Sequence, residues 1–429
     1  MSARVLLATA LAAVLAAVAG GPAVAAAATS PYVVVLDDGT RPGPATDRLT
    51  TRFAVRPAFR YTSAVKGFAA RLTPAQVQAL EADDAVAFVA RDTVSAATGL
   101  TPLSAGELVP PGIRRVGAAT TTAIHSAATG AVAVLDTGID LATTDLNVAS
   151  GTNCIRPGTP AQDDGGHGTH VAGTIAARNQ GAGVSGVAPG TKLYAVKVLS
   201  STGKGTLSQI LCGLDWVTRN AAGLGIRVAN MSIVGAGTND NQCGNANGDA
   251  EHKAVCALTA AGVSLVVSAG NGGVDFSRSI PAAYPEALTV TAMTDTDGVA
   301  GGLGAAPACL RGQRDDGSAT YSSFAVAAAE QQHTVAAPGT CVVSTRLGGG
   351  TTTYYGTSQA APHVAGAVAL CKGAAGLAGP CAGLSAAATI ARIRTDAATG
   401  ATVASGFAGD PLRPVTGRYY GYLVRAAGY

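Results

Sequence analysis

The run Ala131-Val132-Ala133-Val134-Leu135 is apolar at every position and follows a glycine. A strand with one face in water alternates apolar and polar residues, so an unbroken apolar run has to be covered on both faces. Sheets covered in this way are mostly parallel and flanked by helices. The chain is therefore expected to fold as an α/β protein. Asp136 ends the run, and the carboxyl end of such a strand opens onto the crevice where α/β sheets bind their ligands. Taken alone, Asp136 reads equally well as a turn-forming residue.

The rest of the composition is consistent with a large buried core. Apolar residues make up 48% of the 429 positions and charged residues 13%, which excludes intrinsic disorder. The 56 glycines are far short of the one-in-three repeat of collagen. A net charge of +3 over this length builds no basic field, so nucleic acid is not expected as a partner. The length suits one large domain with a smaller one.

The N-terminus reads as an export signal over residues 1–28. Arg4 is followed by the apolar stretch Val5 to Ala19, and Ala23-Val24-Ala25 and Ala26-Ala27-Ala28 offer small-residue cleavage sites. The apolar stretch is short for a membrane span, so secretion to the extracellular space is expected, with no membrane association after cleavage. The eight cysteines fit this location. They are even in number, no CxxC pair suggests zinc, and they are expected to form disulfides. Connectivity does not follow from sequence, but pairing of neighbours would join Cys371 to Cys381, Cys243 to Cys256 and Cys309 to Cys341. Cys154 and Cys212 would remain for each other.

Residues 29–95 read as a small α+β domain. Pro31 to Leu36 and Val65 to Leu72 are strand-like, with a polar segment between them. Thr73-Pro74-Ala75-Gln76 combines a Thr N-cap, a Pro at the first helical position and a Gln that closes a capping box, which predicts a helix to about Ala82. Asp83-Asp84 makes a turn and Val86 to Val89 another short strand. Residues 96–110 form a linker rich in Gly, Pro and Ser, open to proteolysis.

Two further motifs carry chemistry. In Gly165-Gly166-His167-Gly168-Thr169-His170-Val171-Ala172-Gly173, small apolar residues at helical spacing follow the glycines, so His167 opens a helix. His167 and His170 could bind a metal as an i, i+3 pair, but the Glu of an HExxH site is missing and no third ligand is evident. Alternatively His167 is a base facing a nucleophile and His170 a packed residue. In Gly356-Thr357-Ser358-Gln359-Ala360-Ala361-Pro362-His363, Ser358 lies at the start of a helix of small residues, where an ordinary Ser cap is the competing reading.

Asp136-Thr137-Gly138-Ile139, His167-Gly168-Thr169-His170-Val171-Ala172-Gly173 and Gly356-Thr357-Ser358 together resemble the three signatures of the subtilisin-like serine proteases, in that family's chain order. The secreted proteinase K-like branch is the most similar. The resemblance implies a three-layer fold with a mostly parallel central sheet over residues 111–400, preceded by a ferredoxin-like propeptide of the inhibitor I9 type. It matches nothing in residues 401–429, which hold Tyr419, Tyr420, Tyr422 and Tyr429 and would either pack on the domain or form a loose tail. The implied function is a serine endopeptidase made as a self-processing zymogen.

In that case Ser358 is the nucleophile, His167 the base and Asp136 its orienting carboxylate. Val266-Val267-Ser268-Ala269-Gly270-Asn271 resembles the segment that supplies the oxyanion donor, here Asn271 beside the Ser358 N–H. Substrates would be proteins and peptides, held by main-chain pairing along Gly203-Lys204-Gly205 on one side and Ser232-Ile233-Val234 on the other, with Ala269 and Gly270 in the pocket wall. Two residues depart from the pattern. Val234 stands where the family often has glycine and is expected to narrow the specificity pocket or its rim. Gln359 stands where the residue after the nucleophile is usually Met.

The resemblance also implies that the propeptide inhibits its own enzyme, that self-cleavage falls between about Thr98 and Pro110, and that the enzyme works as a monomer. It implies neither a required cofactor nor a catalytic metal. Asp240, Asn241, Asn245, Asn247 and Asp249 crowd one loop that could hold a structural calcium, although a turn cluster explains them equally well. A catalytically silent relative, a metallohydrolase and an esterase are the alternatives. The intact residue set argues against the first, the missing metal ligand against the second, and the absence of GxSxG at Ser358 against the third.

Overall fold

The computed structural model describes residues 28–92, 94–97, 109–120, 123–181 and 183–429. Nearly all of the export signal and of the expected cleavage stretch, Thr98 to Pro110, lies outside them. The first domain runs β1 (Ser30–Leu36), a helix (Pro42–Arg52), β2 (Pro57–Thr62), β3 (Lys66–Leu72), a second helix (Pro74–Glu81) and β4 (Val86–Arg91). Its antiparallel sheet has the order β2-β3-β1-β4, the ferredoxin-like arrangement. The expected capping box forms. Gln76 N–H donates to Thr73 Oγ1 at 3.2 Å, and Thr73 N–H donates to Gln76 Oε1 at 2.8 Å.

The segment expected to be merely polar holds a helix and β2. The helix buries only Ala45, Thr46, Leu49 and Thr50, and β2 only Tyr61, so neither carries the apolar stripe that would announce it. Both are held by packing against the rest of the sheet.

After β5 (Val94–Ala97), the second domain contributes β6 (Ala131–Asp136), β7 (Asn147–Asn153), β8 (Lys192–Lys197), β9 (Lys204–Thr206), β10 (Ile226–Met231), β11 (Ile233–Ala236), β12 (Ser264–Ser268), β13 (Ser279–Ile280), β14 (Ala287–Thr294), β15 (Gly317–Ser318) and β16 (Thr334–Pro338). The central sheet has the order β15-β14-β12-β10-β6-β8-β7, with β16 also on β14. Every pairing in it is parallel except that of the two-residue β15. β6 lies inside it and is buried throughout. Val132 and Val134 face one cluster, with the helices His167–Ala176 and Thr357–Lys372, while Ala131, Ala133 and Leu135 face another, with Leu207–Leu224 and Ala250–Ala260. The apolar run thus builds both halves of a three-layer core.

The first domain adds to the second of these clusters through Val33, Val35, Tyr61 and Ala69. Polar contacts fix its orientation. Asp215, on the helix Leu207–Leu224, accepts the backbone N–H groups of Thr62, Ser63 and Ala64 at 3.1, 2.6 and 3.0 Å. In return Asp92 accepts Ser208 N–H at 2.6 Å, at the start of that helix, and Tyr61 Oη donates to the Ser208 carbonyl at 2.9 Å.

Residues 401–429 are not a loose tail. Tyr419 and Leu423 bridge to Ala325 and Ala336, and Phe407, Tyr420, Val424 and Ala426 are buried, so the second domain's core continues past residue 400. All four disulfides join the expected neighbours: Cys154–Cys212, Cys243–Cys256, Cys309–Cys341 and Cys371–Cys381.

Candidate active site

Three element ends bring the motifs together. Asp136 is the last residue of β6, His167 the first of the helix His167–Ala176, and Ser358 the second of the helix Thr357–Lys372. His167 Nδ1 lies 2.7 and 2.9 Å from the two Asp136 oxygens, and all three side chains are buried. His167 Nε2 has no hydrogen-bond partner, which leaves it open to an incoming hydroxyl. Burial opposes a charge on the ring, but Asp136, its hydrogen bond and then Asp163 outweigh that, and the His167 pKa is raised above its ordinary value. Ser358 Oγ donates to the Ser232 carbonyl at 3.3 Å, and Ser232 Oγ donates to the Ser358 carbonyl at 2.9 Å, which ties the helix start to β10 and β11. A Cβ on Gly168 would strike the Gly138 carbonyl, so the close approach of the Asp136 turn to the His167 helix requires glycine there.

Asn271 follows β12 and lies beside that helix start. Its Oδ1 accepts the Thr357 N–H at 2.8 Å and the Thr357 hydroxyl at 2.9 Å, while Nδ2 is buried without an acceptor. An amide fixed through its oxygen and left with an unused N–H is suited to receive a negative oxygen.

His170 does not share a metal with His167. Its Nε2 lies 3.0 Å from the Val342 carbonyl and its ring stacks on Tyr354 at 4.5 Å. Burial pushes its pKa down to about 3, so it is a neutral packing residue. Among the described residues no His, Cys, Asp or Glu group that could hold a metal includes either histidine.

The cleft beside Ser358 holds β5, the strand that follows the first domain. β5 is antiparallel to both neighbours, with Ser95 and Ala96 opposite Gly205 and Lys204 of β9, and Ala96 and Ala97 opposite Val234 and Ile233 of β11. Both expected cleft walls therefore pair with an extended segment of this same chain. Gly203 stands just outside the pairing, in the turn from Ser200 to Lys204. Ala269 and Gly270 lie between β12 and Asn271, and Gly270, at φ +102°, faces Val234 Cγ2 and Ser323 Oγ. Val234 thus lies against the opposite wall. Gln359 is fully buried, with neither amide atom hydrogen-bonded.

The loop expected as a possible calcium site is held by hydrogen bonds of its own. Asp240 accepts three backbone N–H groups, from Gln242, Gly244 and Ala246. The side-chain oxygens of Asn241, Asn245 and Asn247 accept from Asn239 Nδ2, Lys253 Nζ and Asp249 N–H, respectively. Asp249 accepts Glu251 N–H, His252 N–H and the Tyr284 hydroxyl. Each of these side chains is thus engaged within the protein through its oxygen. Asp295, Asp297 and Asp315 also come within 4.8 Å of one another, but Asp295 pairs with Arg115 at 2.9 Å.

Residues 129–407 match the profile of the subtilase family, peptidase S8, and residues 31–97 that of peptidase inhibitor I9. An alkaline protease of Shouchella clausii is 39% identical over 306 residues, covering 70% of this chain and 67% of that protein. Subtilisin E of Bacillus subtilis is 38% identical over 325 residues, 74% of this chain and 72% of its own. The chain belongs to the subtilase family. The crystal structure of a cold adapted subtilisin-like serine proteinase superposes with a TM-score of 0.54 at 25% identity, covering 76% of this chain and all of the other. This subtilase is a serine endopeptidase carrying an I9 propeptide, and subtilases need no catalytic cofactor. No helix among its described residues is long and apolar enough to cross a membrane.

Sequence reasoning missed several residues that organise the subtilase site. Asp163 sits four residues before His167 and gathers the backbone ahead of it; the pair Asp163-Asp164 before two glycines was the available signal. Thr357 is legible in the sequence only as a neighbour of Ser358, and Asp215, which holds the first domain rather than the site, carries no local signal.

Proposed function

We propose that this subtilase hydrolyses peptide bonds through Asp136, His167 and Ser358, and that residues 94–97 occupy its substrate cleft until the chain cuts itself. The observation that carries this reading is the antiparallel pairing of β5 with both β9 and β11, because an extended peptide held on both edges is how a protease presents a scissile bond.

Ser358 Oγ attacks the carbonyl carbon while His167 Nε2 takes its proton. The His167–Asp136 hydrogen bond fixes the tautomer that leaves Nε2 free to accept, and the Asp136 charge stabilises the imidazolium that forms. Asn271 Nδ2 and the Ser358 backbone N–H receive the oxyanion. His167 then returns its proton to the leaving amine, the C–N bond breaks, and water hydrolyses the acyl-enzyme by the same route. The unused Nε2 of His167 and Nδ2 of Asn271 support these roles.

Val234, Ala269 and Gly270 are proposed to line the primary pocket, with Val234 narrowing it. Lys204 stands at the cleft edge and is exposed. The enzyme is read as an extracellular monomer of the proteinase K-like branch, with protein and peptide substrates, its own propeptide as inhibitor, and neither nucleic acid nor membrane as a partner of the processed form. No structural calcium is assigned.

A Ser358→Ala chain expressed alone should accumulate as an uncut precursor, and the processed wild type should be labelled covalently at Ser358 by a fluorophosphonate. Maturation of the Ser358→Ala chain would overturn self-processing. A fluorophosphonate that leaves the active enzyme unlabelled would overturn the nucleophile assignment.

A further inference from the structure

His167 opens its helix behind Gly166, which offers no side-chain cap. A helix start leaves its first N–H groups without partners inside the helix and carries a partial positive charge, which works against a cation placed there. A base that must become an imidazolium during each turnover is therefore poorly served by this position alone.

Asp163 answers both problems. Its Oδ1 accepts the N–H groups of Gly165 and Gly166, each at 2.9 Å, and the Thr137 hydroxyl at 2.7 Å. Its Oδ2 accepts the Thr169 N–H at 2.9 Å and the Thr169 hydroxyl. The Thr137 hydroxyl in turn accepts the Gly168 N–H at 2.9 Å, so the residues on either side of His167 are tied to one carboxylate. Asp163 is only 3% exposed, and these five donors are its hydrogen-bond partners. Among the described residues no cation pairs with it. The nearby Lys197 ammonium donates instead to the Thr137 and Leu199 carbonyls and to Asp164.

We infer that Asp163 is a positioning residue for the reaction, fixing the His167 ring through the backbone around it and supplying a second negative charge that favours the imidazolium. The inference rests on His167 being the general base. The groups bearing on the ring are Asp136 from β6, Asp163 and Asp164 from the preceding loop, Lys197 from β8, the neutral His170 one turn along the same helix, and the half-buried Tyr354 phenol. Of these, Asp136 and then Asp163 raise the affinity of His167 for a proton, against its burial.

The test is the titration of His167, followed by 15N-histidine NMR in the full-length Ser358→Ala precursor with and without Asp163→Asn. In parallel, kcat/KM of processed Asp163→Asn enzyme is measured against pH. The substitution should lower the His167 pKa by about half a unit to one unit and move the acidic limb of kcat/KM to lower pH by the same amount, with the plateau reduced about tenfold. A folded variant whose His167 titration and acidic limb do not move would overturn the inference, because a purely structural support would lower the plateau and leave the limb in place.

If Asp163→Asn does not fold, Thr169→Val removes one donor, the hydroxyl, while keeping the backbone N–H and the charge. His167 should then titrate where it did or higher, and a lower value would overturn the inference. His167→Ala separates the two readings. Full activity in that variant would remove His167 from the base role, whereas its inactivity with an unmoved titration in Asp163→Asn would sink only the part given to Asp163.

Discussion

Asn271 Oδ1 accepts the Thr357 backbone N–H at 2.8 Å across 86 residues of sequence. This bond, with that from the Thr357 hydroxyl at 2.9 Å, turns the other end of the amide inward, where Nδ2 is buried without an acceptor. The proposed oxyanion donor is thus oriented by Thr357, the residue before the proposed nucleophile. Asn271→Leu should lower kcat by about 100- to 1,000-fold with little change in KM, a range taken from the corresponding donor in subtilisin, a relative of this chain. Thr357→Val, which keeps the N–H and loses the hydroxyl, should cost about tenfold or less by the same measure. Steady-state kinetics on a peptide anilide checks both, and a loss confined to KM would contradict the assignment.

Gln359 is buried with two unsatisfied amide atoms directly after Ser358. An unpaired buried polar group costs about 1–3 kcal/mol, and Met has nearly the same length. Gln359→Met should therefore raise the melting temperature by several degrees without lowering kcat. Calorimetry that shows a destabilised variant would mean that the amide has partners after all.

Asp215 holds three backbone N–H groups of the propeptide turn, and Asp215→Ala leaves them without that acceptor. The isolated propeptide should inhibit this variant at least about 10- to 100-fold more weakly than wild type, the loss equivalent to a single hydrogen bond to a charged group at about 1.5–3 kcal/mol net. Inhibition constants measured on the processed enzyme decide the point; equal constants would place the affinity in the apolar contacts alone.

Val234 lies against Gly270, and Val234→Gly removes the methyl groups between the two walls. Cleavage of a peptide library should shift towards larger residues at the primary site. An unchanged profile would show that Val234 faces another subsite.

Glu251 is fully buried on the helix Ala250–Ala260, and burial, followed by the charge of Asp249, pushes its pKa up to about 8. In the unfolded chain it ionises near its ordinary value of 4.5. The native state therefore holds a proton that the unfolded state has lost between those values, and this group's contribution to stability is full below pH 4.5 and declines as pH rises towards 8. Glu251→Gln removes the dependence. The melting temperature of the Ser358→Ala precursor should rise on this substitution at pH 8–9, by an amount worth a few kcal/mol at most, and the gain should shrink towards pH 4.5. A gain independent of pH would assign the effect to packing.

Local chemistry made much of this protein legible in its sequence. The unbroken apolar run before Asp136 specified a doubly covered strand, Thr73 and Gln76 specified a helix start, and the three motifs carried the residue types that acyl transfer needs. The four disulfides followed chain neighbours. Less legible were the elements without their own apolar pattern, such as Pro42–Arg52 and β2, and the segment after residue 400, whose buried aromatic residues acquire meaning only against β16 and its surroundings.

The sequence alone determined the candidates Asp136, His167 and Ser358, because their identities and flanking glycines are written within a few positions of each residue. Only the tertiary structure decided that Asn271 is aimed by Thr357, that Asp163 gathers the backbone around His167, that Asp215 grips the propeptide, and that β5 lies between β9 and β11. A hydrogen bond between residues 86 or 152 positions apart leaves no periodic trace in the chain. It exists because the three layers, packed on both faces of β6, bring distant loops to one end of the sheet.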